Sequence, residues 1–177
     1  HSNFSTPFLE EGARFAAPVK QVSPFNDKAK ADLGEWQTYR APTPDYDETV
    51  YNVVPYGDAK GDTLTVLHNK AASLGVAVGF NVQQLPVFSL WKNTDTRGQG
   101  YVTGLEPGTS FSYNRRYQRP LNLVPTIGPK QQRQFSISYS LLADKPAVDK
   151  ALQQVKSIQD GRGTEVRQTP LVDLSKE

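Results

Sequence analysis

The sequence has 177 residues, 37% hydrophobic and 21% charged, with a formal net charge of +2. That length suits one domain with a real core, and that charge balance excludes the clustered basic face of a nucleic-acid binder. There is no cysteine, which removes disulfides, thiolate metal sites and a cysteine nucleophile. Nor is there an apolar run of about 18 residues that would span a membrane, so a soluble protein of the cytoplasm or the periplasm is expected.

In chain order, the opening HSNFSTPFLEEG has neither the basic n-region nor the apolar h-region of a signal peptide. The sequence contains no methionine and His1 stands directly before a patterned segment, so a further N-terminal segment of the same protein is expected. Residues Pro18 to Tyr56 carry Pro24, Pro42, Pro44 and Pro55 with few apolar runs, and read as excursions around a sheet. Strand signals follow. From Thr63 to His68, Leu64 and Val66 alternate with Thr63 and Thr65. From Leu74 to Phe80, Leu74, Val76, Val78 and Phe80 alternate with Gly75, Ala77 and Gly79. Period-two alternation predicts half-buried strands. The small residues on the second face predict close packing or a ligand near the backbone.

Leu85 to Lys92 is apolar on both faces and carries Trp91. Gly100 to Glu106 alternates Tyr101, Thr103 and Leu105 with Val102, Gly104 and Glu106. Phe135 to Leu142 sets Phe135, Ile137, Tyr139 and Leu141 against Ser136, Ser138 and Ser140. One helix is predicted, with Pro146 in its first turn, Val148, Leu152 and Val155 on one stripe, and Gly161 at its end. Residues 163–177 are polar and expected to form a tail or an edge segment. The fold class is all-β and mainly antiparallel, a sandwich or barrel with one short C-terminal helix.

His1 and His68 are the two histidines, and no DxDxDG or HExxH spacing occurs, so no metal site is expected. No GxSxG elbow or phosphate-binding loop is present either. The informative stretch is Gln83 to Thr109, two apolar strands joined by a polar loop, the second ending in Glu106, Pro107 and Gly108. Pro107 lacks an N–H and is expected to end regular pairing, which leaves Glu106 at a strand end or a bulge. By spacing alone Glu106 is either a solvated rim carboxylate or a site residue, and Trp91 either a core aromatic or a sugar platform. His68 is either a ligand or a structural strand-end histidine. Glu10 and Glu11 are adjacent and point to opposite faces, so no second carboxylate pairs with Glu106 as a glycosidase would require.

Three segments in order, HSNFSTPFLEEGARF, LPVFSLWKN with GYVTGLEPGT, and LVPTIGPKQQRQFSISYSLL, resemble the aldose 1-epimerase (galactose mutarotase-like) superfamily. They resemble most a bacterial aldose-epimerase-like branch known mainly as a domain of unknown function. The similarity runs, with gaps, from His1 to about Leu142. It implies a galactose mutarotase-like β-sandwich (supersandwich) over residues 1–177, a single domain lacking N-terminal strands of the family. It implies a monosaccharide substrate, a free aldose whose anomers interconvert by acid–base ring opening, with no metal or cofactor. Glu106 matches the glutamate that takes the anomeric proton, and His1 matches by motif the histidine that protonates the ring oxygen. Asn3, Lys92, Arg97 and Trp91 are the candidate sugar contacts. Because neighbours on a strand face opposite ways, Lys92 is expected to line the site and Trp91 the core. The competing readings are a non-catalytic carbohydrate-binding sandwich and a scaffold domain associated with a polysaccharide lyase.

Overall fold

The computed structural model describes residues 1–173. Ten strands and three α-helices occur in these residues: β1 Ser2–Phe4, β2 Arg14–Ala16, β3 Val19–Pro24, α1 Asp27–Ala31, β4 Thr49–Pro55, β5 Asp62–His68, β6 Gly75–Asn81, β7 Val87–Asn93, β8 Val102–Gly108, α2 Arg115–Gln118, β9 Ile137–Leu142, α3 Lys145–Gln159 and β10 Glu165–Val166. One sheet has the order β1-β8-β7-β4-β3-β10 and the other β2-β5-β6-β9. Every neighbouring pair is antiparallel except β10 with β3. The fold is the expected β-sandwich.

Alternation decides what the two sheets bury against each other. Phe15, Leu67, Val76, Val78 and Phe80 of the four-stranded sheet meet Tyr51, Val53, Phe88, Leu90 and Leu105 of the six-stranded one. Phe80 and Phe88 stack across the gap with ring centroids 6.0 Å apart. A second core lies on the other side of the four-stranded sheet. There α3 lays Val148, Ala151, Val155 and Ile158 on Leu64, Val66, Ala77 and Leu142. The Asp144 side chain caps this helix by accepting from the Ala147 N–H at 2.8 Å, and Asp160 ends it in a left-handed conformation at φ +49°. Because α3 covers the outer face, β5 is buried on both faces after its first residue rather than half-buried. The small residues of β6 find the close packing expected of them: Ala77 lies under α3, and a methyl on Gly79 would meet Ser138 Oγ.

One expectation is corrected and two are refined. The Pro18–Tyr56 stretch contains β3 and β4, and β4 lies well inside its sheet, between β7 and β3; Pro24 and Pro55 occupy the last positions of these strands, where proline is tolerated. Of the tail or edge segment expected over residues 163–177, the structure shows an edge strand, since Glu165 and Val166 pair with Gln21 and Val22, and Val172 is buried; residues 174–177 lie outside the described residues. The apolar side of β9 faces the sandwich interior by register with β6, yet Ile137, Tyr139 and Leu141 are 41%, 53% and 66% exposed. β9 is an edge strand, and its inner face overhangs the open side of the sandwich. No helix of the described residues is long and apolar enough to cross a membrane.

Candidate active site

The register of the six-stranded sheet assembles a group of side chains on its outer face. Asn3, Gly104 and Trp91 form one row across β1, β8 and β7, and Glu106, Ser89, Asn52 and Ser23 form the next across β8, β7, β4 and β3. His1, one residue before β1, reaches over this face. Its Nδ1 lies 3.1 Å from Glu106 Oε1 and its Nε2 lies 2.7 Å from Asn3 Oδ1. Each ring nitrogen thus faces an oxygen, and a doubly protonated ring donates to both. The imidazole also lies against Trp91, with ring centroids 5.7 Å apart.

Gly104 is what lets these groups converge. A methyl at that position would collide with Glu106 Oε1 and would come within 3.1 Å of His1 Nε2 and 3.2 Å of a Trp91 ring carbon. Carboxylate, imidazole and indole therefore share the space that a larger residue would fill. The Glu106 side chain is 19% exposed and that of His1 52%. Burial raises the Glu106 carboxyl above the usual carboxylate range, because a half-covered charge loses hydration.

The strand does not stop at Pro107. It pairs with Phe88, and Gly108 with Val87. β1 ends its pairing at Leu105, so beyond it β8 is an edge where a missing N–H costs no ladder bond. Glu106 is accordingly held in regular strand geometry.

The expected division of labour between Lys92 and Trp91 is reversed. Lys92 is 4% exposed on the inner face, where its Nζ donates to the carbonyls of Glu35 at 3.0 Å and Thr38 at 2.8 Å. It lies over the Tyr39 and Tyr51 rings, and burial lowers its pKa to about 8. Trp91 is the residue beside His1 and Glu106, and its Nε1 donates to Glu48 Oε2 at 2.7 Å. Glu48 was not legible in the sequence, since it sits in the proline-rich stretch before β4 with no pattern around it. Arg97 is exposed in the loop joining β7 to β8. Glu106 lies four residues along β8 from the loop end of that hairpin, roughly 13 Å at strand rise. His68 belongs to the other sheet, buried, with Nδ1 2.8 Å from the Asn69 carbonyl.

The row behind Glu106 is polar and runs into the interior. Ser89, Asn52 and Ser23 are buried, and the rings of Phe25 and Tyr113 stack nearby with centroids 4.5 Å apart. Asn52 Nδ2 donates to the Tyr113 hydroxyl at 3.1 Å, while Asn52 Oδ1 and Ser23 Oγ have no partner among the described residues. A cleft of about 810 Å³ opens past the end of β8, lined by Gln21, Val87, Thr109, Phe111 and Arg133 among others; Glu106 is not part of its wall. Among the described residues, no group of three or more His, Asp or Glu is placed to hold a metal ion. The arrangement is an open shelf carrying a carboxylate and an imidazole in contact beside an indole face.

A profile of the DUF4432 family, described as a domain of unknown function, matches residues 1–141. None of the curated proteins matches. Among solved structures, that of a candidate aldose 1-epimerase from Klebsiella pneumoniae subsp. pneumoniae is similar at 47% identity and a TM-score of 0.95. The match covers 98% of this chain and 45% of that one, so the chain spans less than half the length of the Klebsiella protein.

Proposed function

The chain belongs to the DUF4432 family and has an aldose epimerase-like fold; on that basis we propose that it binds a free aldose and interconverts its anomers by acid–base ring opening. The observation that carries this reading is the meeting of His1 and Glu106 over Gly104. In a pyranose, the anomeric hydroxyl oxygen and the ring oxygen are both bonded to C1. The groups acting on them must both reach the surroundings of C1, and this pair is close enough together to do so. Glu106 takes the proton of the anomeric hydroxyl, the C1–O5 bond breaks as the C1 carbonyl forms, and His1 gives its proton to O5. Rotation about C1–C2 then presents the other carbonyl face; O5 attacks C1 as His1 takes back the proton of the O5 hydroxyl, and Glu106 gives its proton to the former carbonyl oxygen.

The surroundings suit these roles. Half-burial strengthens Glu106 as a base, and Asn3 holds the imidazole by its far nitrogen. The exposed face of Trp91 offers an apolar surface to sugar C–H groups. Positioned acid–base catalysis of this kind supplies about a hundred- to ten-thousandfold in rate. A second reading is favoured by the openness of the shelf: a carbohydrate-binding module that holds sugar without turning it over.

Exchange NMR on fresh α-glucose and α-galactose separates the two. Catalysis accelerates the approach to anomeric equilibrium, and Glu106→Gln removes the acceleration while sugar-induced shifts persist. An unchanged rate in Glu106→Gln would remove the base assignment. Binding without acceleration by the unaltered chain would leave the module reading.

A further inference from the structure

The register of the six-stranded sheet sets three residues in line across the shelf. β1, β8 and β7 are neighbours in that order. His1 precedes Ser2, which pairs with Leu105, so its backbone starts level with Glu106. Glu106 pairs in turn with Ser89 of β7. Directly paired residues project from the same face, with Cβ atoms about 4.5–5.5 Å apart. Glu106 therefore has the imidazole on one flank and Ser89 on the other.

Packing alone gives no reason for a serine at that position. In the next row of the same face Gly108 pairs with Val87, and Val54 with Gln21; Val87 and Val54 join the apolar cluster of Phe111 and Tyr113. The Ser89 row is polar instead and grades inward, from Ser89 at 5% exposed to Asn52 at 1% and Ser23 at 0%. A hydroxyl so far withdrawn from water ordinarily has a hydrogen-bond partner, yet the Ser89 side chain has none among the described residues. Asn52 is held from behind. Its Nδ2 donates to the Tyr113 hydroxyl at 3.1 Å, which donates to the Phe25 carbonyl at 3.1 Å, while Asn52 Oδ1 is buried without a partner. Ser89 stands between this unused acceptor and the shelf, and a hydroxyl can donate to the one while accepting from a ligand on the other.

The ligand group follows from the chemistry of C1, and it rests on the roles proposed above for Glu106 and His1. C1 of a pyranose carries O1 and has two ring neighbours, O5 and C2. With O1 at Glu106 and O5 turned to His1, C2 lies on the remaining flank and its hydroxyl comes to Ser89. We propose that Ser89 binds O2 of the aldose and makes the site selective for sugars with a free hydroxyl at C2. Trp91 lies two residues further along the same face of β7, so the indole and the Ser89 hydroxyl border one flank of the sugar together.

Glucose and 2-deoxyglucose, which differ only at C2, test this contact with the 177-residue chain and its Ser89→Ala variant. Dissociation constants from sugar-induced NMR shifts, and kcat/KM from anomer exchange, are measured for the four combinations. The unaltered chain is expected to bind 2-deoxyglucose about five- to tenfold more weakly than glucose, the worth of one hydrogen bond between neutral groups. Ser89→Ala is expected to weaken glucose by the same factor and to leave 2-deoxyglucose within about twofold. A chain that does not distinguish the two sugars, or a substitution that weakens both equally, overturns the assignment. Its fate is separable from that of the reaction. Selective loss of glucose affinity in Ser89→Ala, with no acceleration by the unaltered chain, keeps Ser89 at O2 and removes the turnover. Acceleration that Glu106→Gln abolishes, but that is indifferent to Ser89→Ala and to the C2 hydroxyl, keeps the reaction and removes this contact. A chain that neither binds nor exchanges either sugar removes both.

Discussion

Glu106 and Lys92 are both ionisable groups that burial disturbs, and their consequences for stability can be told apart by sign. The Glu106 carboxyl is raised by burial, so the folded state holds its proton more tightly than the unfolded chain. Its favourable contribution is full at acid pH and is lost as pH rises through the folded value. The contact with His1, half-exposed, offsets this by no more than about 1 kcal/mol. Glu106→Gln is therefore expected to unfold within about 1 kcal/mol of the unaltered chain at neutral pH, with the comparison moving in favour of the unaltered chain as pH falls toward 4. Urea titrations at the two pH values check this, and a loss well beyond that would make Glu106 a structural residue. Lys92 works in the other direction. Its folded value is lowered to about 8 from an ordinary 10.5, so above pH 8 the unfolded chain binds more protons and stability rises with pH. The bonds to Glu35 and Thr38 survive the change, because a neutral amine keeps two N–H donors for the two carbonyls. Stability is expected to climb between pH 8 and about 9.5, toward a limit of about 3 kcal/mol, and this slope to vanish in Lys92→Met. A slope unaltered by that substitution would assign it to other groups.

At the scale of elements, β8 shows how a strand delivers chemistry. Its outward residues are Val102, Gly104 and Glu106, and the missing side chain in the middle is what admits the neighbours. Gly104→Ala asks the ends of flexible side chains to move, not the backbone, so the fold is expected to tolerate it. The carboxylate and imidazole must separate, and a displacement of about 1 Å at reacting groups costs on the order of a hundredfold in rate. The expected outcome is an unchanged melting transition with anomer exchange reduced about a hundredfold; unchanged exchange would mean that the contact is not the reactive geometry. The same element marks how far sequence reaches. Alternation located β5, β6 and β8, each with its own period-two pattern, and placed Glu106 on the face opposite Leu105, while β7 was located as a run apolar on both faces. It could not set which face of β7 is the wet one. That phase depends on cross-strand partners, Thr49 and Thr103 for Lys92 and Val50 and Gly104 for Trp91, and one step of parity exchanges the two residues. Residue type then pointed the wrong way. Trp91 is the larger hydrophobe, but two backbone carbonyls and two tyrosine rings draw Lys92 inward. β4 was hidden for a similar reason: TVYNVVP carries Asn52 at its centre and a proline at its end. The pattern of β9 was read correctly as a strand with an apolar face, and its exposure was not legible because burial depends on what lies across the gap.

For the molecule as a whole, the question is which parts the site depends on. The family match ends at residue 141, and α3 begins at Lys145, on the far side of the four-stranded sheet from the His1–Glu106 shelf. Yet α3 is no appendage. It buries Val148, Val155 and Ile158 against Leu64 and Val66, and full burial of such side chains is worth about 1.5–3 kcal/mol each. Three of them on the helix, with those they cover on the sheet, amount to as much as the whole stability of an ordinary domain, about 5–15 kcal/mol. Deleting residues 144–177 is therefore expected to yield a chain that does not fold cooperatively, since it bares one face of β5 and β6 while the other face belongs to the central core. The graded version is Val148→Ala, at a fully buried position. It is expected to cost about 2 kcal/mol in urea unfolding through lost transfer energy and the cavity left behind. Below its unfolding transition this variant should exchange sugar anomers at the unaltered rate, because Val148 packs on the outer face of the four-stranded sheet and the shelf lies on the outer face of the six-stranded one. A truncated chain that melts like the intact one would make α3 dispensable to the fold. A Val148→Ala protein that is folded but slow would mean that the four-stranded sheet transmits its packing to the opposite face of the sandwich.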